Sequence, residues 1–238
     1  MSWLQRTEIL LGAENLDKLK KARVLVAGLG GVGAYAVEQL ARAGIGHLTI
    51  IDGDVVQPSN RNRQLPALCS TQGLPKSQVM ADRLRDINPE ISLTVLQEFI
   101  RDERIPEILS DDYDYVVDAI DTLSPKVFLI VNALQRQLPL ISSLGAGGKL
   151  DPSLIRVADI SKSYNCNLAR MVRKRLTKFG IRSGFKVVFS PELVDKDVII
   201  LTEGEQNKKT TVGTISYFPA MFGCYLASEV IRDIVDRV

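Results

Sequence analysis

The chain has 238 residues, 45% of them hydrophobic and 24% charged. That balance excludes a disordered chain, a collagen-like repeat and a disulfide scaffold, and the length suits one large core in one domain. Thirty Lys and Arg against 28 Asp and Glu leave a net charge of +2, too even to point to nucleic acid. The distribution is less even: residues 162–186 hold eight basic side chains and no acidic one, and the rest of the chain sums to −6.

The opening segment, Met1 to Arg6, lacks the apolar core of a secretion signal, and a cytoplasmic location is expected. A β-branched run from Arg23 to Gly28 reads as a strand, Val32 to Ala43 as a helix stopped by Gly44 and Gly46, and His47 to Asp52 as a second strand. Strand, helix and strand in so short a span make a βαβ unit with a parallel sheet. Further strands are predicted at Ser92–Gln97, Tyr115–Ala119 and Leu138–Ser142, with helices at Lys76–Asp86 and Pro125–Arg136. This alternation predicts an α/β, Rossmann-like, doubly wound sheet over residues 1–148.

Gly145-Ala-Gly-Gly148 interrupts the pattern. Beyond it, residues 149–238 form a mixed extension: strands near Ile155–Ile160 and Lys186–Ser190, a basic helix near Leu168–Phe179, and a closing helix from Pro219 to Val235. Asp195 to Thr211 is polar and expected to be partly mobile. Thr210 to Ser228 is uncharged and long enough for a membrane span, but Gly213, Pro219 and its hydroxyl residues favour a buried helix.

Gly28-Leu-Gly30-Gly31-Val-Gly33 joins the first strand to its helix. Such a loop lets phosphate oxygens approach a helix N-terminus, where free N–H groups and the dipole favour anions. Asp52 ends the next strand 19 residues after Gly33, where a carboxylate can accept hydrogen bonds from a ribose. A nicotinamide dehydrogenase would share both features. The following segment separates the two: Asp54, Asn60-Arg61-Asn62-Arg63-Gln64 and Lys76 bring cations that suit a triphosphate. His47, the single histidine, reads as a surface residue before a strand. Asp118-Ala-Ile-Asp121 follows a strand at its carboxyl end, so Asp121 either helps to hold Mg²⁺ or caps the helix that starts near Ser124. Cys69, Cys166 and Cys224 form no CxxC pair, so neither a disulfide framework nor a zinc site is read from them, and they are taken as buried, inert thiols.

Gly28–Gly33, Asp52, Asn60–Gln64, Lys76 and Asp118–Asp121 together resemble the adenylation domain of the ubiquitin-activating superfamily, which includes the adenylyltransferases of molybdopterin and thiamine biosynthesis. The resemblance implies ATP and Mg²⁺. It places Asp52 on the ribose, Arg63 and Lys76 on the phosphates, Asp121 on the metal, and Arg6 on the nucleotide of a partner subunit in a homodimer. The implied nucleotide set is Gly28, Gly30, Gly31, Gly33, Asp52, Asp54, Asn60, Arg63, Gln64, Lys76 and Asp121. The missing zinc pairs depart from the sulfur-carrier branch. Ile87-Asn-Pro-Glu90, Ser143–Gly148 with Asp151-Pro152, and Val188–Glu192 are instead similar to the tRNA threonylcarbamoyladenosine dehydratases. That branch implies adenylation of a threonyl carboxylate on tRNA followed by ring closure. Lys162, Arg170, Arg173, Lys174, Arg175, Lys178 and Arg182 are then read as tRNA contacts. A ubiquitin-like or sulfur-carrier protein is the alternative acceptor, a non-catalytic nucleotide-binding module a further reading, and a sulfur-relay or cysteine-desulfurase partner a further expectation.

Overall fold

Two short helices, α1 (Gln5–Leu11) and α2 (Ala13–Lys21), precede the first strand. The structure, a computed structural model, describes residues 2–100, 103–201 and 210–236. The chain continues through β1 (Arg23–Ala27), α3 (Gly33–Ala43), β2 (His47–Ile51), α4 (Lys76–Ile87), β3 (Ser92–Leu96) and α5 (Ile105–Ile108). Next come β4 (Tyr115–Asp118), α6 (Leu123–Gln135), β5 (Leu140–Ser143) and β6 (Arg156–Asp159). The last elements are α7 (Asn167–Leu176), β7 (Lys186–Phe189), β8 (Ile199–Leu201), β9 (Thr210–Val212) and α8 (Tyr217–Val235).

Seven strands form one sheet in the order β3-β2-β1-β4-β5-β7-β6. All neighbours are parallel except β6, which runs antiparallel to β7 at the edge. The doubly wound sheet with a mixed extension is thus observed. Alternation along β1 sets the two faces of the core: Val24 and Val26 pack with α3, α4 and α8, while Leu25 and Ala27 pack with α5, α6 and α7. Strand order reverses between β1 and β4. At such a switch point the loops leaving the two carboxyl ends diverge and open a crevice.

Several boundaries differ from the sequence expectation. The basic helix stops at Leu176, and a 3₁₀ turn, Thr177–Phe179, carries the chain to left-handed Gly180. The closing helix starts at Tyr217, because Pro219 in a first turn needs no N–H donor. The uncharged stretch is divided between β9 and α8, and no helix among the described residues is long and apolar enough to cross a membrane. Asp195–Thr211 contains β8, part of β9, which pairs with it, and residues 202–209, which lie outside the described residues. His47 opens β2, half-buried, at the end of the strand opposite the crevice.

Candidate functional site

The glycine loop is shaped by close approaches. Gly28 has φ +90°, and a Cβ there would stand 2.9 Å from the carbonyl of Ala119. A Cβ on Gly33 would overlap the Gly28 carbonyl. Both positions therefore need glycine for the loop to turn tightly into α3 and lie against the turn after β4. No described side chain caps the N-terminus of α3, an end that favours an anion, although Ala34 N already donates to Gly30 O at 3.3 Å. Gly31 lies beside the Arg63 stem, and Gly30 beside the Gln64 amide. Gln64 Oε1 is buried with no hydrogen-bond partner among the described residues.

Asp52 is held ready by backbone donors. Its Oδ2 accepts from Leu29 N at 2.6 Å and its Oδ1 from Asp54 N at 2.8 Å. Burial pushes its carboxyl above the ordinary value, against the pull of Lys76 and these two donors. Lys76 starts α4, is 5% exposed, and its Nζ donates to Asp54 Oδ2 at 2.8 Å. Arg63 Nη1 donates to Ser59 O at 3.0 Å and to Asn62 Oδ1 at 2.7 Å. Asn60 Oδ1 accepts from Gln57 N at 3.1 Å, fixing the turn that carries Arg63. The glycine loop, Asp52, Asp54, Arg63, Gln64 and Lys76 thus gather at the carboxyl ends of β1 and β2.

The two aspartates after β4 have separate fates. Asp118 is fully buried with Lys126, whose Nζ donates to Asp118 Oδ2 at 2.6 Å, Ser142 Oγ at 3.1 Å and Ser143 O at 2.8 Å. Asp118 Oδ1 accepts from Ile120 N at 3.1 Å, which bends the turn toward Asp121. Asp121 is exposed, and Thr122 rather than Asp121 occupies the N-cap of α6. Asp121 thus stands one residue before the N-cap of α6, which starts at Leu123. Arg6 lies elsewhere, exposed on α1, and its side chain makes no hydrogen bond or ion pair with a described residue.

The second half closes on this crevice. Asn62 Nδ2 donates to Thr214 O at 2.9 Å, and Gly148 N donates to Gly213 O at 2.7 Å, so residues 213–214 join the arginine segment to the Gly145–Gly148 loop. Lys149 is buried and donates to Ser190 O; burial pushes its ammonium below the usual lysine range, opposed by Cys166 and Glu192. The Glu192 carboxylate accepts from Leu150 N at 2.9 Å and Asp151 N at 3.0 Å. The segments Ser143–Pro152 and Val188–Glu192, separate in sequence, are thus one clasp. Sequence reasoning missed Lys126, Lys149 and the role of Glu192; a lysine inside the apolar pattern of α6 was the one available signal.

Lys162, Arg170, Lys174, Arg175, Lys178 and Arg182 are exposed and make no ion pair with described residues. Arg173 differs from the rest of that set: its Nη1 donates to Ser163 O at 2.7 Å and to the Ser163 hydroxyl, which ties that arm of the guanidinium to the turn before α7. Lys186, in the same acid-free stretch, is likewise paired with Glu229 at 3.0 Å and Asp233 at 2.7 Å. Among the cysteines Cys166 is buried, Cys224 is half-buried with its thiol pushed up by burial, and Cys69 is exposed, contrary to expectation. No group of three or more His, Cys, Asp or Glu among the described residues is placed to hold a metal ion.

A glycine loop at a switch point, a ribose-type carboxylate and cations on the following segment define a nucleotide-binding adenylating fold. The chain belongs to the ThiF family, whose sequence profile matches residues 4–237. It is 39% identical over 240 residues to the tRNA threonylcarbamoyladenosine dehydratase of Bacillus subtilis, covering 98% of this chain and 94% of that protein. The Escherichia coli protein of the same name is 42% identical over 201 residues, 80% of this chain and 75% of that one. The crystal structure of the Escherichia coli tRNA N6-threonylcarbamoyladenosine dehydratase in complex with ATP superposes with a TM-score of 0.88 at 37% identity, covering 98% of this chain and 94% of that one.

Proposed function

We propose that this protein is an ATP-dependent tRNA threonylcarbamoyladenosine dehydratase. The threonyl carboxylate attacks the α-phosphate of ATP, expels pyrophosphate and becomes an acyl adenylate. The carbamoyl group of the same side chain then attacks the activated carbonyl, AMP leaves, and a ring closes with net loss of water. The second nucleophile is intramolecular, so positioning and charge neutralisation can carry most of the work.

The observation that carries this reading is the clasp of Ser143–Pro152 with Val188–Glu192, tied through residues 213–214 to the arginine segment. It joins the segments shared with the dehydratase branch to the nucleotide crevice, and the full-length likeness to dehydratases supports it. Asp52 would take the ribose hydroxyls, and Arg63 and Lys76 the phosphates, with Lys76 sharing its ammonium between Asp54 and ATP. The exposed Asp121, with Asp118 already neutralised by Lys126, fits the one-carboxylate contact that Mg²⁺ needs when phosphates supply further oxygens. The bound cation would supply neutralisation of phosphate charge.

Arg6, Ile9 and Leu10 share one face of α1, with Ile9 and Leu10 78% and 82% exposed. That face is read as the homodimer contact through which Arg6 reaches the partner's nucleotide. The exposed cations along and after α7 are read as the tRNA face, and a tRNA substrate places the enzyme in the cytoplasm. The test is pyrophosphate release with modified tRNA, unmodified tRNA and no acceptor in parallel. Release confined to modified tRNA is expected. Release driven by the C-terminus of a ubiquitin-like protein instead would favour the sulfur-carrier reading.

A further inference from the structure

At the turn that leads into the basic helix stands an aromatic ring that the adenylation chemistry leaves unused. Tyr164 follows the 3₁₀ turn Ile160–Lys162 and is 54% exposed. Its ring meets Phe189 edge-on, with centroids 5.7 Å apart at 71°, and Phe189 is buried at the carboxyl end of β7. Asn165 has φ +52°, so the chain reverses through the left-handed region before Cys166 opens α7. Cys166 Sγ lies 3.6 Å from where a Cβ on Gly145 would stand, which sets this turn against the glycine loop after β5.

The backbone that carries the ring is fixed. Ser163 is buried, its hydroxyl donates to Ile160 O at 2.7 Å, and Arg173 donates to both its carbonyl and its hydroxyl. Lys162 and Arg170, both exposed, flank the ring along the chain. A rigid aromatic half in water, among cations and with no acid between residues 162 and 186, suits the face of a nucleobase. An adenosine substituted at N6 has its pairing edge occupied. It therefore stays unpaired, and protein recognition of unpaired bases targets single-stranded loops, whose neighbouring bases are open to stacking.

We propose that Tyr164 is a substrate-binding residue that stacks on an unpaired base of the RNA beside the nucleotide to be modified. This rests on the tRNA reading above and adds a contact that recognises single-stranded bases, where the cations recognise only phosphate. The experiment measures binding of modified tRNA across a salt series for the unchanged protein and for Tyr164→Phe, Tyr164→Leu and Tyr164→Ala. The triple variant Arg170→Gln/Lys174→Gln/Lys178→Gln is measured alongside, with ATP affinity and thermal unfolding followed for all.

Losing one stacked base weakens binding about 5- to 160-fold. Tyr164→Ala and Tyr164→Leu are expected to fall in that range at every salt concentration with the slope unchanged, because no phosphate contact is lost. Leucine keeps apolar bulk against Phe189, so its loss reports the aromatic face rather than the fold. Tyr164→Phe should bind as the unchanged protein does. The triple variant should instead lower the log–log slope by roughly 0.7 to 0.9 for each contact removed. Affinity of Tyr164→Ala and Tyr164→Leu within twofold of an unchanged protein that does bind tRNA would overturn the stacking role and leave the tRNA reading intact. An unchanged protein that binds ATP but neither modified nor unmodified tRNA would overturn both, and point to a protein acceptor.

Discussion

Replacing Lys126 by Met removes the cation from a pair whose two side chains are fully buried. Methionine fills much of the same volume, but among the described residues it leaves Asp118 with only the Ser142 hydroxyl at 2.6 Å and Ile120 N at 3.1 Å. A buried charge stripped of its partner costs roughly 3–5 kcal/mol. For a chain of this size that corresponds to a Tm lower by about 6–20 °C. The double variant Lys126→Met/Asp118→Asn takes out both charges and keeps an acceptor for Ile120 N, so most of the loss should return. Urea unfolding of the three proteins at neutral pH, with slopes compared, measures this directly. A single variant within about 1 kcal/mol of the unchanged protein, or a double variant no better than the single one, would refute a charge-compensated clamp beneath Asp121.

Arg63→Ala and Lys76→Ala should each lower turnover by about 10²-fold or more, the scale of one lost donor to developing charge; an unchanged rate removes that residue from the site. Asp121→Asn should shift the Mg²⁺ titration to higher concentration, and an unaltered titration would deny it the metal. Asp52 gives a pH dependence with a defined sign. Its folded-state value is raised by burial, so stability present below the ordinary carboxylate value is lost as pH rises through the raised one. ATP affinity runs the other way, falling as pH drops through that window because the ribose hydroxyls need the ionised acceptor; Asp52→Asn should flatten the profile. Mixing inactive Arg6→Ala with inactive Lys76→Ala subunits should restore part of the activity, since some mixed dimers hold one intact composite site. No recovery despite proven subunit exchange would place Arg6 within its own subunit.

The βαβ unit was legible because β-branched residues, a glycine loop and a terminal aspartate each follow from the same local geometry. Ligand-type residues between Gly28 and Lys76 were legible for the same reason: they sit on loops leaving adjacent strands. What could not be read depends on distant partners. α1 buries no side chain and α2 only Leu16 and Leu19, so neither carries a long apolar stripe. Among the described residues β8 and β9 pair only with each other, outside the main sheet. Lys126 sits in a helical pattern where a lysine is ordinarily solvated, and only the fold brings Asp118 to it. Arg173 looked like its neighbours in the basic run until Ser163, ten residues earlier, was seen to accept its guanidinium.

The central claim is tested most directly on the product. Modified tRNA is incubated with the protein and ATP, digested to nucleosides and weighed by mass spectrometry, with AMP and pyrophosphate counted in the same reaction. Dehydratase activity gives a threonylcarbamoyladenosine lighter by one water, with one AMP and one pyrophosphate for each nucleoside converted. An unchanged nucleoside mass, with ATP consumed only when a protein C-terminus is supplied as acceptor, would contradict it.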